Sequence, residues 1–188
     1  PYLDDPYHAK RTLRSRRLED LDETLSDRLT TLPEESVVYD FGGGYGNYAT
    51  ELARQGKKVT SVDLDDNLGR LLGFPLTDKT TLFDKPSKID VEELNEILDI
   101  MNLKALEPGN NVHNKIRQLL KKVNTILLAH GIPPITELNQ LPSAQARLRA
   151  SLSQLEKRGH LKRIQGSVQD FLQKLSLIHI SEPTRRSD

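Results

Sequence analysis

The sequence predicts an α/β chain built on a parallel sheet, and three observations carry that expectation. A β-branched and aromatic run over residues 36–41 is cut off by Gly42, Gly43, Gly44 and Gly46. A helix-length stretch follows over 47–55, closed by Gly56 as a C-terminal stop. A second apolar run over 57–64 then ends in the acidic cluster Asp63, Asp65 and Asp66. Strand, glycine turn, helix and strand make a βαβ unit, whose strands must be parallel.

Before this unit, residues 9–29 predict an amphipathic helix, because Leu13, Leu18, Leu21, Leu25 and Leu29 recur at three- to five-residue spacing. Pro33 ends it. After residue 84 the pattern turns helical. Ile89, Leu94, Ile97, Leu98 and Ile100 mark one helix, with Ser87 or Asp90 as N-cap. Val112, Ile116, Leu119, Leu120, Val123, Ile126 and Leu127 mark a stronger one ending near Gly131. Pro133 and Pro134 break the chain, a third helix runs over 143–157, and Gly159 stops it. Residues 161–168 (LKRIQGSV) form a third strand candidate.

Composition narrows the chemistry. The chain has 188 residues, 27 Lys+Arg against 27 Asp+Glu, and no cysteine. Disulfides, thiolate metal sites and cysteine nucleophiles are therefore excluded. No apolar run approaches the ~18 residues needed to span a bilayer, so no membrane is expected and a cytoplasmic protein is the simplest reading. His8, His113, His130 and His160 have no metal-ligand spacing, so no metal is expected, and no Ser-His-Asp grouping or G-x-S-x-G stands out. Charge is uneven: residues 103–175 carry twelve bases and four acids, which points to an anionic partner, nucleic acid, for that segment.

The segment Asp40-Phe41-Gly42-Gly43-Gly44-Tyr45-Gly46 is where a ligand can approach bare backbone. Asp63, seventeen positions beyond Gly46, stands where a carboxylate accepts hydrogen bonds from a ribose in nucleotide-binding βαβ units. Residues 44–49 also satisfy G-x-G-x-x-G/A, which keeps an NAD(P)-dependent Rossmann oxidoreductase as the alternative. Asp40 weighs against it, since a carboxylate at the strand end repels a pyrophosphate but suits a ligand bearing ammonium and sulfonium charges.

The stretch VVYDFGGGYGNYATELARQGKKVTSVDLDD resembles motif I and the following acidic strand of class I S-adenosylmethionine-dependent methyltransferases, with D-x-G-x-G-x-G falling on Asp40, Gly42, Gly44 and Gly46. The resemblance implies a Rossmann-like methyltransferase core (a partial parallel sheet) with a helical insertion or an appended helical module. It implies S-adenosylmethionine as cofactor, Asp40 near its methionine moiety, the glycines beneath it, and Asp63 on its ribose. Residues 164–171 (IQGSVQDF) are similar to the family's third strand and the loop after it, where the Val168 amide would contact adenine; Ser167 stands where the family has an acid. Catalytic residues and the methyl acceptor stay unknown, because no segment supplies the family's later strands or its motif IV.

The expected organisation is thus a helical segment over 1–35, the cofactor-binding βαβ unit over 36–83, and a helical insertion or appended module over 84–160. A third strand and helix over 161–175 and a tail over 176–188 complete it. The final stretch LSLIHISEPTRRSD follows neither helical nor strand periodicity and resembles translated sequencing-adapter read-through of metagenomic reading frames; the chain is expected to be a truncated fragment whose own activity is in doubt. Residues 135–164 are also similar to a winged-helix module, in which Arg147, Arg149, Lys157, Arg158, Lys162 and Arg163 would meet phosphates; the preferred reading of those charges is an ordinary solvated helix face. Asp65 and Asp66 read as a helix N-cap and solvated charge, and Tyr45 and Tyr48 either flank the ligand or pack.

Overall fold

A computed structural model describes residues 28–29, 31–75 and 90–181, the last five by backbone alone. The chain divides into two compact units at Ser36 and Val37, and the elements below belong to the second. Of the helix expected over 9–29, only Arg28 and Leu29 are described, both helical; the remainder lies outside the described residues, as do the Ser87 cap and Ile89.

The second unit is α/β, with a three-stranded parallel sheet in the order β1-β2-β3. β1 is Val37–Phe41, β2 is Lys58–Asp63 and β3 is Leu161–Gln165. Asp40 is paired with Ser61 and Phe41 with Val62, while Ser61 pairs onward with Arg163 and Asp63 with Gln165. Paired positions in a parallel ladder share a face, and side chains alternate faces along each strand. One face therefore carries Asp40, Ser61, Asp63, Arg163 and Gln165 toward the C-terminal edge. The opposite face carries Tyr39, Phe41, Val62 and Ile164.

Six helices accompany the sheet among the described residues: α1 Asn47–Arg54, α2 Asn67–Gly73, α3 Val91–Ile100, α4 Val112–Ala129, α5 Leu141–Lys157 and α6 Val168–Ser181. α1 follows the glycine turn and buries Ala49, Leu52 and Ala53 against β2 and β3. α4 buries Ile116, Leu119, Val123, Ile126 and Leu127, the apolar stripe its periodicity predicts, and packs on α1. α5 touches α1, α2 and β3, burying Leu148 and Leu152. α3 packs on α2; its Asp90 cap accepts from the Glu92 and Glu93 amides, satisfying donors that a helix start leaves without partners.

The strand expected over 161–168 forms as β3 and lies parallel to β2 inside the sheet, not as the antiparallel wing of a winged-helix module. Of the helices between β2 and β3, α3 packs on α2, and α4 and α5 pack on α1. α6 continues to Ser181; no glycine or proline interrupts residues 168–181. No described helix is long and apolar enough to cross a membrane.

Candidate functional site

The glycine turn is held from both sides. Gly42 N–H donates to Val62 O at 2.8 Å, carrying the strand ladder one step past β1. Gly42, Gly44 and Gly46 have φ of 69°, 60° and 70°, values an L-residue reaches only with strain. Gly43 serves a different purpose. A Cβ there would stand 2.2 Å from Asp40 Oδ2 and 3.0 Å from Ser61 Oγ, so the missing side chain makes room for the Asp40 carboxylate. Gly46 caps α1 without a side-chain hydrogen bond, leaving the helix start bordered only by bare backbone.

Asp63 closes the other side of the turn. Its Oδ2 accepts from the Gly44 amide at 2.7 Å and its Oδ1 from the Asp65 amide at 3.1 Å. The two predicted halves of the site, glycine turn and strand-end acid, are therefore in direct contact. Asp40 lies one strand over, facing Ser61 Oγ at 3.5 Å. Burial pushes its carboxyl above the usual carboxylate value, the Ser61 hydrogen bond pulls it back, and the Asp63 charge raises it again. A positive charge placed here would relieve that strain.

A cavity of about 200 Å³ opens beside the turn, lined by Gly44, Gly46, Ser61, Asp63, Asp65, Asp66, Glu156 and Arg163 among others. Four carboxylates thus meet one cation. Arg163 is itself engaged, donating to Asp66 at 3.1 Å and to Glu156 at 3.3 Å, so the cavity keeps a negative balance. Its volume is below the ~300–1,000 Å³ of small-molecule pockets, enough for part of an adenosyl-sized ligand. Tyr45 lines it too; its hydroxyl donates to Ile100 O at 2.9 Å, tying the turn to the end of α3.

Of the residues expected in the site, Gly44, Gly46 and Asp63 line the cavity. Asp40 and Gly42 sit behind them. Val168 begins α6 and does not line the cavity; the neighbouring Ser167 hydroxyl caps that helix through the Asp170 amide. Asp66 caps α2 by accepting from Gly69 N at 2.9 Å. Sequence reasoning missed Gly43, Ser61 and Arg163 as parts of the site. The in-register partners Asp40, Ser61 and Arg163 become visible only when strand pairing is known.

Comparison with family models, with curated proteins and with solved structures finds no match to this chain.

Proposed function

We propose that this unit is the methyl-donor site of a class I S-adenosylmethionine-dependent methyltransferase with a Rossmann-like core. The observation that carries the reading is the Asp63 carboxylate bonded to the Gly44 amide in a cavity with four carboxylates and one already-paired arginine. The donor set fits the cofactor. Negative side chains favour its sulfonium and ammonium, and the bare amides at the start of α1 favour its carboxylate. When bound, the cofactor supplies an activated methyl group. This chain's part is to hold it: Asp63 through sugar hydroxyls, Asp40 by facing positive charge, Gly44 and Gly46 by admitting it close to the backbone. The long helical connection between β2 and β3 is then an insertion in that core.

The same turn serves a nicotinamide dinucleotide in an oxidoreductase, but a pyrophosphate brought beside Asp63, Asp65, Asp66 and Glu156 would be repelled. Isothermal titration of the full chain with S-adenosylhomocysteine and with NAD separates the two. The proposal expects measurable heat with the adenosyl ligand and weaker binding of NAD; tighter binding of NAD overturns it.

A further inference from the structure

At the opposite end of the sheet from the glycine turn, where α1 and α5 end and β3 begins, a second and larger cleft of about 540 Å³ lies between the end of α1, the loop after α4 and the exposed side of α5. It is lined by Arg54, Arg147 and Arg158 and, among the described residues, by no carboxylate. Among the residues of α5 and its C-cap that line it, Arg147, Ser151, Gln154 and Arg158 recur at intervals of four, three and four, which is one stripe of an α-helix. Ser151 is oriented by His130, whose Nδ1 lies 2.8 Å from its Oγ. Arg54 donates from Nη1 to Ala129 O at 2.9 Å, and its fork retains further N–H groups.

Four of the twelve bases of residues 103–175 are engaged elsewhere in the fold. Lys115 donates to Lys104 O, Lys122 to Met101 O and Arg149 to Leu72 O, while Arg163 pairs with Asp66 and Glu156. Arg147 and Arg158 are exposed and share a cleft in which, among the described residues, there is no carboxylate. Their positions on α5 are eleven residues apart, roughly 16 Å along the axis at 1.5 Å per residue. Two cations so spaced can meet successive phosphodiesters of one strand. A second recess on the same loop, reaching Pro134 to Thr136, is lined by Arg117 and Lys121 and, among the described residues, again by no carboxylate.

We propose that the cleft of Arg54, Arg147 and Arg158 binds the sugar–phosphate backbone of a single nucleic-acid strand. Concavity favours one strand over the flat face that a duplex needs, and guanidinium forks suit phosphate oxygens. The site is remote from the glycine turn and does not rest on the cofactor reading.

The test is fluorescence anisotropy of a labelled single-stranded 20-mer against the full chain, without S-adenosyl ligands, over a range of salt. The double variant R147Q/R158Q should bind at least tenfold more weakly at low salt. Its log–log salt slope should fall by about 1.4, at ~0.7 per lost phosphate contact on a single strand. Gln154→Glu, which places a carboxylate in the cleft, should weaken binding in the same direction. K104Q/K174Q, equal in charge change but outside the cleft, should alter the slope far less. Unchanged affinity in R147Q/R158Q overturns the proposal, as does equal weakening by K104Q/K174Q, which would mean diffuse attraction. Pyrophosphate competing at the strand's own affinity overturns it in favour of a small phosphorylated ligand.

Discussion

Replacing Asp63 separates its two tasks, bracing the turn and holding a ligand. In Asp63→Ala the Gly44 and Asp65 amides lose their acceptors. Both bonds lie at the exposed mouth of the site, where water takes over much of the role, so the fold should lose only about 1 kcal/mol. The ligand loses more. Two sugar hydroxyls on a carboxylate contribute ~1.5–3 kcal/mol each, and at 1.4 kcal/mol per factor of ten their joint loss is roughly a hundredfold in affinity or greater. Asp63→Asn keeps an acceptor but not the charge and should fall between. Isothermal titration with S-adenosylhomocysteine reads the first quantity and urea unfolding the second. Stability lowered as stated, with affinity within threefold of the unsubstituted chain, would refute the reasoning and leave Asp63 as a brace alone.

Gly43→Ala should cost ~1–3 kcal/mol by overpacking, since its Cβ would overlap the Asp40 carboxylate. Adding Asp40→Ala should recover part of that loss; strictly additive urea midpoints in the double-mutant cycle would count against the contact. Gln145 is buried and its amide donates to Leu71 O at 2.8 Å and Phe74 O at 3.2 Å. Gln145→Leu should therefore destabilise by about 1–3 kcal/mol, and an unchanged unfolding midpoint would show those carbonyls find other partners. Burial, with help from the Arg54 and Arg163 charges, lowers His130 from 6.5 to about 4. The unfolded chain then binds the proton more readily, so stability is whole above pH 6.5 and is lost as pH falls toward 4. The loss is on the order of 3 kcal/mol. His130→Gln should flatten that part of the stability–pH curve, and a curve of unaltered shape would assign the acid loss elsewhere.

What could be read from sequence was local. The turn, both strands around it and Asp63 lie within residues 37–63, where glycine spacing and β-branched runs report directly on backbone shape. The Asp66 and Asp90 caps were legible for the same reason. The rest depends on residues distant in the chain. Arg163 reaches Asp66 across 97 positions and Tyr45 reaches Ile100 across 55; no periodicity announces such pairs. The extent of α2, beyond its Asp66 cap, was not read because Gly69 and Gly73 dilute its helical signal. The basic helix stayed ambiguous locally: α5 followed by Gly159 and a basic strand fits a winged helix as well as a core strand, and the pairing of β3 with β2 decides for the sheet. Val168 illustrates the converse, a residue in the expected loop position that the start of α6 keeps out of the cavity lining.

Backbone amide spectra of isotope-labelled protein, recorded while S-adenosylhomocysteine is added, bear most directly on the donor-site claim. Resonances of Gly44, Gly46 and Asp63 should shift together and saturate at one ligand per chain, while those around Arg147 and Arg158 stay in place. Saturable shifts confined to any other part of the chain, or none at these three positions, would contradict it.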